Sequence, residues 1–177
     1  MNNIIFESER LIFKEFKLTD ANLIFQLNLD PEVTRFTGDP IHSLEQAEEV
    51  LKNIILPQYT LYGHGRWAVY LKSTNDFIGW CGLKYLTESG EIDLGYRCMK
   101  IFWNKGYASE AAKATVEYGL EILNLKCITG RAVPENIASI KILEKCGMEY
   151  IGLFEFHDHL AATYQIKNNS LPCTHKI

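Results

Sequence analysis

Apolar and polar residues change their period several times along the chain, and each change marks an element. Residues 91–98 alternate Ile92, Leu94 and Tyr96 with Asp93, Gly95 and Arg97, the period of a half-buried strand. From 108 to 123 the spacing lengthens to three and four, and Ala112, Val116, Gly119, Leu120 and Leu123 make one apolar helical face. Further strands are predicted over 66–71 and 77–86, separated from each other and from 91–98 by turn residues at 72–76 and 88–90, so 59–98 reads as a meander. Residues 126–133 predict a strand parallel to 91–98, because a helix crossover joins the two. A helix over 136–146 closed by Gly147, then strands over 149–156 and about 162–167, complete the pattern.

The first third is less regular. Residues 4–16 predict one strand broken by charges and left at a sheet edge. Thr19-Asp20 offers an N-cap for a helix to Leu29, which Asp30-Pro31 stops. Ser43 caps a second helix that carries Ala47, Val50, Leu51, Ile54 and Ile55 as far as Pro57. Gly130 inside a strand points to a bulge or to close approach by another group. Past residue 168 the polar composition and a proline predict a loose end.

A chain of 177 residues with 47% hydrophobic content suits one domain, 1–177, around one core. A net charge of −4 and a pI near 5.7 argue against nucleic acid and suit an amine-bearing partner. The N-terminal residues lack the basic and apolar regions of a signal, and no run is long enough for a membrane span, so a cytoplasmic protein without membrane contact is expected. Five cysteines stand far apart with no Cys-x-x-Cys pair, which favours buried thiols over a disulfide or metal site.

The stretch with most chemical content is Trp103-Asn104-Lys105-Gly106-Tyr107-Ala108-Ser109-Glu110-Ala111-Ala112, read as strand exit, glycine turn and first helical turn. Amides at such a helix start are unpaired and sit at the positive end of the macrodipole. Each N–H given to an anion contributes roughly 1.5–3 kcal/mol, so three or four hold a diphosphate without a P-loop lysine. By itself the pattern is also that of an ordinary strand–helix junction. Neither nucleotide-binding glycine motif occurs.

The run Leu94-Gly95-Tyr96-Arg97, the 103–111 stretch, Asn136-Ile137-Ala138-Ser139 and Leu143-Glu144-Lys145-Cys146-Gly147-Met148 together resemble the acyl-CoA motif of the GNAT superfamily of N-acetyltransferases. Ser8-Glu9-Arg10-Leu11 and Asp30-Pro31-Glu32-Val33 extend the resemblance over about 8–167 and make it most similar to the branch of ribosomal-protein N-terminal acetyltransferases. The resemblance implies an α+β fold with a mixed, mostly antiparallel sheet of six or seven strands flanked by about four helices. It also implies acetyl-CoA-dependent acetylation of a primary amine by direct attack, with no covalent acyl-enzyme and no metal. The acceptor is a protein N-terminus or a small amine, and the protein a monomer or homodimer. The alternative is a non-catalytic acyl-CoA sensor.

By the same resemblance, the backbone of Arg97, Cys98 and Met99 binds pantetheine, and a backbone N–H near Cys98–Met99 meets the developing oxyanion. Trp103, Asn104, Lys105, Gly106, Tyr107, Ala108 and Ser109 frame the diphosphate, with the Lys105 side chain either at the phosphate or simply solvated. Trp103 stands where much of the family has Arg or Gln, and Lys100 where relatives have proline. Asn136 lies near pantetheine while also serving as a helix N-cap. Ser139 shares a helical face with Leu143 and Cys146 and is either a core serine or, as in the branch, a partner of the departing thiolate. Tyrosine acid chemistry does not transfer, because its position is Glu144. For the base, Asp93 and Glu91 share a strand face, and either is a proton acceptor or a solvated edge carboxylate. His157 and His159 read as surface histidines, with a proton acceptor or a His-x-His metal site as the sharper alternatives. Phe36, Tyr59, Tyr62, Trp67 and Trp80 are candidate acceptor-pocket residues, each also suited to the core.

Overall fold

The structure, a computed structural model, describes residues 4–156 and 159–168. The strands are β1 (Ile4–Glu7), β2 (Leu11–Glu15), β3 (Arg66–Leu71), β4 (Phe77–Leu86), β5 (Glu91–Cys98), β6 (Cys127–Ala132), β7 (Glu149–Phe156) and β8 (His159–Lys167). Among the described residues these eight form one sheet in the order β1-β2-β3-β4-β5-β6-β8-β7. Every neighbouring pair is antiparallel except β5 and β6, which are parallel because helix α5 (Tyr107–Glu121) carries the chain back between them.

The eighth strand comes from 4–16, which folds as a hairpin rather than one broken strand. Ser8 N donates to Leu11 O at 3.0 Å to close the turn. Glu110 of α5 then accepts from Ser8 Oγ, Arg10 N and Arg10 Nε at 2.7, 2.7 and 2.6 Å. The turn is thus held by a residue about a hundred positions away.

Helix α1 (Ala21–Asn28) follows a 3₁₀ turn, and the Asp20 carboxylate bonds back to Lys17 N at 2.9 Å instead of capping α1. A single turn, α2 (Pro31–Thr34), comes next. Ser43 Oγ accepts from Gln46 N and starts α3 (Leu44–Val50) as predicted. The helix does not stop at Pro57. Leu51–Ile55 widens into a π turn, Leu56 N reaches back five residues to Leu51 O, and α4 (Leu56–Tyr62) continues to Gly63. Pro57 thereby falls in a first turn, where its missing N–H is not needed. Helix α6 (Ile137–Lys145) ends as foreseen: Gly147 N donates to Glu144 O and Met148 N to Leu143 O.

Each sheet face is covered by its own layer. Leu11, Trp67, Leu83, Leu94 and Ile128 pack under Ala112 and Val116 of α5 and Leu143 of α6. On the other face, Phe16, Ala68 and Tyr70 meet Ile24 of α1, Ala47 of α3, and Leu51 and Ile55 of the π turn. Gly130 marks a close approach: a Cβ there would stand 2.6 Å from Leu143 Cδ2.

Candidate functional site

β5 keeps its ladder with β4 as far as Cys98 but meets β6 only at Asp93–Thr129 and Leu94–Gly130. Beyond that point Gly95, Tyr96, Arg97 and Cys98 run beside β4 alone and the sheet splays. Met99 N donates to Ile78 O at 2.8 Å. Antiparallel alternation therefore turns the amide and carbonyl of Arg97 toward β4 and those of Tyr96 and Cys98 into the gap. Of the three positions named for pantetheine, Cys98 turns its amide and carbonyl into the gap, whereas Arg97 and the Met99 amide turn to β4, which leaves the Cys98 amide and not that of Met99 free to donate there. The Cys98 carbonyl accepts from Trp103 Nε1 at 2.7 Å, a bond that fixes Trp103 over the strand exit.

After Cys98 a 3₁₀ turn leads to two left-handed residues, Asn104 at φ 60° and Gly106 at φ 81°. Gly106 is the N-cap of α5 and brings no side chain to its amides, so the N–H groups of Tyr107, Ala108 and Ser109 lack a side-chain cap. Lys105 Nζ lies 5.5 Å from the Phe102 ring centroid. Arg10, which the sequence pattern did not single out, reaches this turn from the β1–β2 hairpin. Its Nη1 donates to Lys105 O at 3.1 Å and its guanidinium lies 4.5 Å from the Tyr107 ring centroid. Burial alone would raise the Glu110 carboxyl, but hydrogen bonds from Ser8 and Arg10, with the charge of Arg10, hold it below its usual range.

Two further groups border the gap, one on each sheet face. Toward α6, Tyr96 donates its hydroxyl to Ser139 O at 3.1 Å, and Ser139 N donates to Asn136 Oδ1 at 3.2 Å. Asn136 is therefore the N-cap, and half-buried Ser139 opens α6 beside the gap, while Leu143 and Cys146 on its face enter the core. Burial raises the Tyr96 hydroxyl above its usual pKa. On the opposite face Arg131 of β6 binds both candidate bases, with Nη1 2.6 Å from Asp93 Oδ1 and Nη2 2.5 Å from Glu91 Oε2. Asp93 is thereby largely withdrawn from solvent, while Glu91 stays partly exposed. Burial lifts Asp93 to about 6 against the opposing pull of Arg131.

Arg97 projects onto this second face and is tied to Asn28 Oδ1 and Asp39 Oδ1 at 2.5 Å each. Of the aromatic candidates, Trp80 lies there with Arg97 and Arg66, 5.9 and 5.0 Å from its ring centroid. Trp67 is instead core, packed edge-on against Phe6 and Tyr118 under α5. Tyr59 is structural: its hydroxyl donates to Arg66 O and accepts from Phe16 N. Tyr62 lies tilted against Tyr85 with ring centroids 4.6 Å apart, and Phe36 is exposed. His159 is exposed at the start of β8, while His157 and the tail past 168 lie outside the described residues. Burial pushes the Cys81 and Cys98 thiols up to about 12 and Cys146 to about 11.

A family model for the acetyltransferase (GNAT) domain matches residues 10–149. The chain belongs to the GNAT family of acetyltransferases. An uncharacterized N-acetyltransferase of Bacillus licheniformis, p20, is 32% identical over 154 residues, 85% of each chain. A solved GNAT acetyltransferase of Bacillus anthracis is 26% identical, with TM-score 0.76 over 92% of this chain and 97% of that one. At 16% identity, RimL, a ribosomal L7/L12 alpha-N-protein acetyltransferase solved with coenzyme A, shares the fold with TM-score 0.80 over 93% of this chain and 98% of its own. This GNAT enzyme is an N-acetyltransferase with the mixed sheet that the motif implied. Among the described residues, no group of three His, Cys, Asp or Glu side chains is placed to hold a metal ion, and no helix is long and apolar enough to cross a membrane.

Proposed function

We propose that this chain, one catalytic domain over 1–177, transfers the acetyl group of acetyl-CoA to a primary amine in the cytoplasm. The observation that carries the reading is the continuity of two backbone features: the unladdered edge of Tyr96–Cys98 and the uncapped amides that follow Gly106. The amides of 104–109, with Lys105 and Arg10 close by, would hold the diphosphate, and the backbone of Tyr96 and Cys98 would hold the pantetheine arm with Asn136 nearby. Acetyl-CoA would supply an activated acyl thioester. The Cys98 amide would donate to the carbonyl oxygen as charge develops there. Ser139, at the mouth of the gap, would steady the leaving sulfur, since a serine hydroxyl is too weak an acid to supply the proton outright.

Asp93, with Glu91 behind it on the same guanidinium, would receive the amine's proton. A carboxyl near pKa 6 is better matched to an α-amine of about 7.7–8.0 than to a lysine amine of about 10.4. This supports an α-amine acceptor, and with it the likeness to the ribosomal-protein N-terminal branch. The raised thiol pKa values support direct attack, because at neutral pH Cys98 and Cys146 carry almost no thiolate. The test is thiol release from acetyl-CoA across α-amine peptides, amino acids and polyamines, with acetyl-CoA binding followed by calorimetry on the same sample. Turnover with α-amines is expected. Binding without turnover of any amine would overturn the reading.

A further inference from the structure

With Asp93 as the proposed proton acceptor, the amine arrives on the face where Asp93 and Glu91 project. There, Arg66 pairs with Gly82 and Gly82 with Gly95, so this row of the sheet ends in a cation and has two positions without side chains. The adjoining rows set Trp80 against Arg97 and Lys84 against Asp93. The Trp80 ring lies over Gly95, where a Cβ would meet it at 3.1 Å, and Arg66 stands over that ring.

The charges on this face are unevenly paired. Arg131 takes both Asp93 and Glu91, and Arg97 takes Asp39. Among the described residues, half-buried Arg66 and half-buried Lys84 have no carboxylate within ion-pair distance. Asp39 and Asp93 act on both of them only through space, as Glu88 does on Lys84. Burial lowers the pKa of each, as expected for cations that lose water and gain no counterion. One more donor of the cluster is unspent: Arg97 Nε is buried without a partner.

We infer that Arg66 and Lys84 form an anion subsite of the acceptor pocket, which takes a carboxylate borne by the substrate a few bonds from its amine. The inference rests on the acetyltransferase reading and narrows its acceptor class. A polyamine would add positive charge beside two unpaired cations and is disfavoured. The carboxylate belongs equally to a free α-amino acid and to a peptide with an acidic residue near its N-terminus.

The experiment compares thiol release for alanine, alaninamide and ethylamine, and for peptide amides with aspartate or asparagine at the second position. Full-length protein and its Arg66→Gln, Lys84→Gln and doubly substituted variants are used, each checked by thermal unfolding and by acetyl-CoA calorimetry. The carboxylate acceptor of at least one series should show about tenfold or more higher kcat/KM in the wild type, through KM, and the double variant should lose that preference. Arg66→Lys, which keeps the charge, should retain most of it. A preference in the first series alone names an amino acid, and in the second alone an acidic peptide. Equal kcat/KM within both series, or a preference that survives the double substitution, overturns the subsite. If no amine releases thiol, it is the acetyltransferase reading that fails. The subsite is then decided by calorimetry with N-acetylalanine in the presence of CoA, where absent binding, or binding equal in wild type and double variant, overturns it.

Discussion

Asp93 is under two opposing influences, burial that favours its neutral form and Arg131 that favours its charge, and burial prevails to leave it at about 6. Below that pH it already holds a proton and takes no other, so kcat/KM should fall as pH drops through about 6. Asp93→Asn should lose this acid limb and lower turnover at neutral pH by on the order of a hundredfold, which pH–rate profiles check. For stability the same shift acts in the opposite direction. The folded-state pKa lies above the unfolded 3.8, so the stabilising contribution is full below about 3.8 and is lost as pH rises through about 6. With a neutral Asn that loss should vanish from melting curves taken between pH 4 and 7. Ser139→Ala should lower turnover roughly tenfold, about one hydrogen bond, and leave acetyl-CoA affinity nearly unchanged. A wild-type rate in that variant would return Ser139 to a purely structural role. At this scale the sequence placed Asp93, Glu91 and Ser139, because strand and helix periods determine which face a side chain takes. Arg131, Tyr96 and Arg10 escaped it, because each matters through a partner 38 or more positions away.

The start of α5 carries most of the binding argument among the elements. Valine at 106 would have to adopt φ 81°, a conformation that a β-branched residue resists, with its Cβ 3.4 Å from Arg10 Nη2. Gly106→Val should therefore raise the acetyl-CoA dissociation constant by about tenfold or more in calorimetry, the worth of about one N–H given to an anion. The β1–β2 turn is latched to this helix by Glu110. Glu110→Ala should cost about 2 kcal/mol, a drop of about 4–8 °C in Tm. Because the folded Glu110 pKa is lowered, its contribution is present above the ordinary 4.5 and fades as pH falls through the folded value, so wild type and variant should converge in acid. Glycine and serine signals at 43, 106 and 147 were legible because they act within four or five residues. Pro57 misled, because the π turn that accommodates it is stabilised by Leu51 and Ile55 in the second core.

On the scale of the molecule, β1–β5 and β6–β8 join, among the described residues, through two paired positions of the sheet. A coenzyme that bonds to the β5 edge and the α5 start should tighten this seam. At a hundred times its dissociation constant acetyl-CoA should add about 2.7 kcal/mol and raise Tm by roughly 5–10 °C, with hydrogen exchange slowed in β5 and β6. An unchanged Tm would separate the seam from the binding site. The sequence by itself determined the meander, the parallel crossover, the glycine turn before α5 and the family, since periodicity, capping and turn chemistry act over a few residues. Only the tertiary structure decided that β5 and β6 part after Leu94, that Arg131 binds both carboxylates, and that Arg66 and Lys84 share a face without counterions. Those features arise where distant strands are brought together, and the spacing of residues along one strand does not encode its partner's charge.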